Sequence, residues 1–361
     1  MRRFRRTLPV LLSVLAIAAV ITTAVMLRKA APPEPARLLP SADAFVYLNL
    51  QWARRTGALA NLSPVEHASD YDAFIRETGI QVERDLEEVA VAVHYPAGTA
   101  RMAGGKAQNS TRFTEIMVGR IDAVRLAAYL GKISSSVDAS SGIDVFAIPL
   151  EDHTLRVAIL GPEMVAVSNH DDPHVMAGII QRSRKRASPF AGPSFLRAYY
   201  KRVPLASLAW AVVKIDPTQV AATSSGGIFD IPGGVLTVFP KPAVVVASAR
   251  WIRAVHFRAE AFTESSDDAR VITDKVGTFL DLFHAADITT AQGPDADVKA
   301  FFDSLQIKQD DKRAIMSATM PSGFLGKIFK DSPELSGVSP KPTPPAASSV
   351  KTPAAHKKPS H

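Results

Sequence analysis

The densest run of chemically capable side chains is His170-Asp171-Asp172-Pro173-His174. Two imidazoles and two carboxylates at this spacing are donor types that hold zinc and similar ions. The same residues also read as a helix start, where Asp accepts free backbone N–H groups and Pro suits the first turn. Capping is the preferred reading and metal ligation the alternative. His94 and His256 fall in strand-like runs, His153 in a turn, and His284 near a helix end, where its charge suits the dipole.

The familiar hydrolase signatures have no anchor in the body of the chain. There is no Gly-x-Ser-x-Gly elbow and no His-Glu-x-x-His helix, and Ser348-x-x-Lys351 sits in a Pro-rich tail. Gly226-Gly227 and Gly233-Gly234 fit neither a dinucleotide fingerprint nor a P-loop. The stretch Ser224–Gly234 reads as a loop whose Ile228, Phe229 and Ile231 tuck into the core; a lid, a membrane contact or a partner contact is the alternative. Ser140-Ser141-Gly142 is turn chemistry. Asp85 with Glu87-Glu88, and Asp267-Asp268, read as solvated ends of elements; a glycosidase pair would need a separation in space that a sequence does not show. No catalytic, cofactor-binding or metal-ligating residue is therefore assigned.

The elements that position these residues read as mixed α and β. Strands are predicted at Ala44–Leu50, Glu88–Tyr95, Phe113–Arg120, Asp144–Pro149, Ser207–Ile215, Ala243–Trp251, Ala254–Phe262 and Ala314–Met320. Leu155–Leu160 and Glu163–Ser168 flank Gly161-Pro162 as a tight hairpin. Helices are predicted at Glu66–Thr78, after Asp122 with Val124, Leu126, Ala127 and Leu130 inward, and from Asp171 or Asp172 towards Arg184. Others span Ser266–Ala286, carrying Val271, Val276, Phe279, Leu280 and Phe283, then Asp297–Leu305 and Gly323–Phe329. An opening strand, a strand pair and a helix occur at 44–133 and again at 207–286, offset by about 160 residues. The fold class is α+β, mostly antiparallel sheets with packed amphipathic helices in two degenerate repeats.

Residues 7–27 carry no charge, and at about 1.5 Å per residue they match a bilayer core of roughly 30 Å. Arg2, Arg3, Arg5 and Arg6 precede them, which keeps residues 1–6 in the cytoplasm and exports the remainder. An uncleaved signal anchor is preferred over a cleaved signal, because the apolar run continues past the small residues Thr22-Thr23-Ala24. Residues 28–40 read as a proline-rich spacer, 41–204 and 205–334 as two α+β halves, and 335–361 as a disordered Pro/Ser/Lys tail. The two ends supply +6 and +4 of a formal +7, so the body is near −3. That balance excludes a basic nucleic-acid footprint on the folded part. With no cysteine there is no disulfide, thiolate metal site or Cys nucleophile.

The opener Leu38-Leu39-Pro40-Ser41-Ala42-Asp43-Ala44-Phe45-Val46, the turn Gly119-Arg120-Ile121-Asp122 and the strand start Gly142-Ile143-Asp144-Val145 resemble those of uncharacterised bacterial signal-anchored periplasmic proteins. The resemblance covers residues 38–330 and implies no catalytic residue. The charge flanks and layout together read as a single-pass inner-membrane protein with a non-enzymatic C-terminal domain in the periplasm, binding an apolar ligand or an envelope protein partner. An envelope hydrolase with a metal-dependent or unrecognised site is the alternative. No cofactor is expected.

Overall fold

The computed structural model describes residues 31–57, 69–95, 111–139, 142–150, 153–185, 188, 191–220, 236–287 and 296–321. Its strands are β1 (Ala44–Asn49), β2 (Leu86–His94), β3 (Arg112–Gly119), β4 (Ser136–Asp138), β5 (Val145–Pro149), β6 (Thr154–Gly161), β7 (Met164–Ser168), β8 (Ser207–Ile215), β9 (Ala243–Ile252), β10 (Ala254–Phe262), β11 (Gln306–Asp310) and β12 (Arg313–Met320). They form one antiparallel sheet in the order β11-β12-β10-β9-β8-β1-β2-β3-β7-β6-β5-β4. Its helices are α1 (Glu34–Leu38), α2 (Leu50–Arg55), α3 (Ser69–Thr78), α4 (Val82–Asp85), α5 (Ala123–Ile133), α6 (His174–Arg184), α7 (Ser194–Tyr200), α8 (Pro217–Val220), α9 (Ser266–Asp287) and α10 (Ala296–Ser304). The fold is α+β.

The strand order has a pattern. Outward from the central β1–β8 pair, β1-β2-β3-β7-β6 on one side matches β8-β9-β10-β12-β11 on the other, and β5 and β4 lengthen the first arm only. A helix follows the third strand in both arms, α5 after β3 and α9 after β10. The sheet edges are β4, exposed throughout, and the polar β11 (QIKQD), so neither offers a long apolar edge for stray pairing.

Period-two alternation sorts the sheet into two faces. In β2, Ala90 and Ala92 point to one face and Val89, Val91 and Val93 to the other. The small pair leaves room for α1, which packs on β2 and β3 with Ala36 and Leu38 fully buried. Helices α6 and α7 cover the same face, joining Met176, Ile179, Ile180 and Leu196 to Phe45, Ile116 and Trp210 in the main core. On the opposite face α5 lies over β5 and β6 with α3 beside it, while α9 packs on β11 and β12.

Several expectations are corrected. The proline-rich spacer is not a spacer from Glu34 onward: Pro35, Ala36, Leu38 and Leu39 are core residues, and Arg182 donates two hydrogen bonds to the Leu38 carbonyl, at 2.9 and 2.7 Å. Pro near the helix start presets the backbone angle and sacrifices no helical donor. On α5, Leu126 and Leu130 are buried one turn apart but Val124 is 80% exposed. On α9, Ile272 and Leu280 are buried and Phe279 is exposed. Among the described residues no helix is long and apolar enough to cross a membrane. The anchor 7–27, the cytoplasmic end 1–6, the loop 224–234, the helix 323–329 and the tail 335–361 lie outside the described residues.

Candidate functional site

The site is built where the first arm's helices meet its lengthened sheet. Asp122 accepts the Arg125 N–H at 3.0 Å as the N-cap of α5, which fixes the helix start just after β3. Gly119 lets that corner form. A Cβ there would collide with the Asp85 carbonyl and come within 2.9 Å of Leu86 Cα. The 119–126 corner is thus seated on α4 and the start of β2.

Between α5, α3 and the sheet lies a cavity of about 240 Å³. Every lining residue is aliphatic or aromatic, including Phe74, Met117, Leu126, Tyr129, Leu155 and Val167. Phe74 and Tyr129 meet edge to face at 5.5 Å and join α3 to α5. An apolar cavity of about 150 Å³ stays dry and takes up benzene-sized guests, so this one suits a larger apolar group.

Beside it is a second hollow of about 310 Å³ whose wall carries Arg84, Arg120, Arg125, Asp85 and Asp122. Ile80 lines both spaces. Asp85 is buried, which corrects its reading as a solvated end. It accepts from Arg84 Nε and Nη2 at 2.8 and 2.7 Å, from Arg120 Nη2 at 3.3 Å and from the Gln81 N–H at 2.9 Å. The Arg84 guanidinium holds the Asp85 carboxyl below the usual carboxylate range, against the effect of burial. Arg125 reaches Asp122 at 3.5 Å.

A larger cleft of about 570 Å³ opens at the ends of β8, β9 and β10 beneath α7. Phe195, Tyr199 and Phe262 wall it, with Lys214 Nζ 4.8 Å from the Phe195 ring. Two of its polar groups are engaged within the fold: Lys214 pairs with Asp43 at 3.6 Å, and Asp216 accepts from Thr218 N–H and Oγ1.

The residues singled out from sequence do not assemble into an active site. Asp171 pairs with Arg112 at 3.0 Å, and Asp172 accepts the His174 N–H at the start of α6, as a capping residue does. His170 Nδ1 accepts the Asp172 N–H, and its ring lies edge-on to His94 at 4.9 Å. Burial, then the neighbouring His170, pushes the His94 pKa down. His256 contacts Thr319 Oγ1 at 3.3 Å; Ser140, Ser141 and the His284 side chain lie outside the description. Among the described residues no three His, Asp or Glu side chains converge as a metal site. Asp268 is buried too, bonded to Ser265 and Lys241, whereas Asp267 is exposed. Glu88 is half-buried and accepts from the Tyr47 hydroxyl at 2.9 Å. No sequence pattern marks the cavity, because its walls come from eight elements between Phe74 and Val167.

No family model and no curated protein matches this chain. Among solved structures, crystal form IV of TP0453 aligns at a TM-score of 0.42 and 13% identity, over 82% of this chain and 96% of that one. Crystal form III aligns at 0.43 and 11% over 82% and 98%, and crystal form I at 0.41 and 12% over 85% and 99%. Alignments this loose leave function to be read from the chain's own cavity and charges.

Proposed function

We propose that the chain is an exported, membrane-anchored binding protein without catalytic activity, and that its ligand site is the apolar cavity beneath α5. The observation that carries this reading is the lining: about 240 Å³ bounded only by aliphatic and aromatic side chains. Such a space gains from displacing nothing more than poorly held water, at roughly 0.8 kcal/mol per buried methylene. Residues 7–27 anchor the chain in the inner membrane with residues 1–6 in the cytoplasm and the folded part in the periplasm. The matched strand orders of the two arms support a degenerate duplication. A hydrolase at the His170–His174 run is disfavoured, because Asp171 and Asp172 are already committed to Arg112 and to the start of α6.

The test is xenon-129 NMR on the full-length chain in nanodiscs of zwitterionic lipid, with empty discs as the blank. A bound-xenon shift is expected, and Leu155→Phe, which fills the cavity from its wall, is expected to remove it. A wild-type chain whose xenon signal equals that of the Leu155→Phe variant would sink the cavity reading.

A further inference from the structure

We propose that the guest is a single-chain anionic amphiphile, its acyl tail in the α5 cavity and its head on Arg84, Arg120 and Arg125. The proposal rests on the cavity reading above and adds the chemistry of the head group. The two spaces lie on either side of a shared wall residue, Ile80. Along the chain the charged and apolar walls alternate: Ile121 and Leu126 line the cavity, while their neighbours Arg120, Asp122 and Arg125 line the charged hollow. One pair of walls therefore presents an apolar interior and a charged shoulder.

The shoulder is positive. Three guanidiniums face two carboxylates there, although the body of the chain is near −3. The charge is also incompletely used. Arg84 is bidentate on Asp85, but Arg120 gives only Nη2, to Asp85 and to the Arg84 carbonyl, and Arg125 gives only Nε, to Asp122. The remaining guanidinium N–H groups of Arg120 and Arg125 have no acceptor among the described residues and are half or more exposed. A planar fork of N–H donors matches a carboxylate or phosphate through two parallel bonds. The start of α5 adds its partial positive charge.

The cavity fixes the orientation. With no charged side chain on its wall to pair with a charge, the lining excludes an anion, since an unpaired buried carboxylate is prohibitively costly. The tail enters and the head stays on the arginines. A fatty acid and a phosphate-headed lipid fragment share this chemistry, and a pair of head groups separates them.

The experiment is fluorine-19 NMR on the full-length chain in zwitterionic nanodiscs, using octanoate, octyl phosphate and octanol, each fluorinated at the terminal carbon. Both anions are expected to bind about tenfold more tightly than octanol at low salt, as charge-assisted bonds to a head group imply. The double variant Arg120→Gln/Arg125→Gln should bring all three within about threefold of one another, and Leu155→Phe should abolish all three signals. Arg270→Gln, a solvent-exposed guanidinium elsewhere on the fold, should change nothing. A tighter phosphate names the phosphate head and a tighter carboxylate the fatty acid; both orders support the proposal. Octanol binding as well as the anions, or an anion preference that survives the double variant, overturns the head-group assignment and leaves the cavity reading intact. Anion binding that persists in Leu155→Phe overturns the tail placement. Silence of all three probes in a chain that binds xenon overturns this proposal alone; silence of xenon as well removes both.

Discussion

Leu38→Ala separates a structural segment from a tether. Residues 34–38 form a helix whose Leu38 is fully buried, and the Leu38 carbonyl receives both Arg182 hydrogen bonds from α6. Truncation to Ala removes three carbons, roughly 2.4 kcal/mol of transfer free energy at about 0.8 per carbon. The void left among Ala90, Ile116 and Ile179 adds a cavity term, which brings the expected loss to about 2–5 kcal/mol. The backbone carbonyl is untouched, so Arg182 keeps its acceptor and the loss isolates packing. At about 3 kcal/mol, and with an unfolding entropy of about 2.1 cal/mol/K for each of roughly 300 folded residues, the melting temperature should fall by roughly 5 °C. Thermal unfolding followed by circular dichroism on the full chain reads this directly. A change within about 0.5 kcal/mol, the range of ordinary surface substitutions, would refute the placement of α1 in the core.

Two further substitutions probe the frame of the site. Glu115 faces Val91 and Val167 across the sheet, and burial pushes its carboxyl above the usual range. A raised acid pKa favours the folded state while the group is protonated, and that benefit is lost as pH rises above the unfolded value near 4.3. Glu115→Gln should therefore raise the melting temperature at pH 7 and give no gain at pH 4; an equal gain at both would refute the burial argument. Gly119→Ala drives a Cβ into the Asp85 carbonyl and should cost about 1–3 kcal/mol in urea unfolding, while also loosening Arg84 and Arg120. A neutral Gly119→Ala would mean that the corner is not as tight as its backbone distances require.

The sheet was legible where alternation and turn chemistry agree. Ser207–Ile215 emerged with the expected bounds, and the Gly161-Pro162 hairpin pairs as read, with a register shift between Ile159 and Gly161. Strand β11 escaped because QIKQD has one apolar residue and its pairing with β12 is what makes it a strand. Helix α1 escaped for another reason. Pro33 and Pro35 read as an extended tether, and only the alanines of β2 on the far side of the contact reveal that a helix fits there. Asp85 read as solvated because one of its partners, Arg120, lies a strand pair away in sequence. The amphipathic pattern of α5 marked Leu126 and Leu130, but no pattern within one element marks a void shared by eight.

The two arms also explain why the cavity lies in the first. In the second arm α9 settles directly on the sheet, with Ile272 against Ala261 and Ala314, and small strand residues let a helix come close. The space beside α9 has Asp274 and Lys275 on its wall, which makes it a poor host for an apolar guest. In the first arm the matching helix α5 faces Met117, Val157 and Val165, larger side chains that hold it off the strands. There β5 extends the floor with Ile148, and α3 supplies Phe74 as a lateral wall. Strands β4 and β5 have no counterpart in the second arm. If the arms descend from one unit, the cavity belongs to the copy that kept or gained the longer sheet. Substituting Ala at Val157 and Val165 should then let α5 sink toward the sheet, so that bound xenon decreases although side-chain volume has been removed. An increase in xenon binding would show instead that α5 is held in place by α3 and its cap, and that the floor residues do not set the height of the cavity.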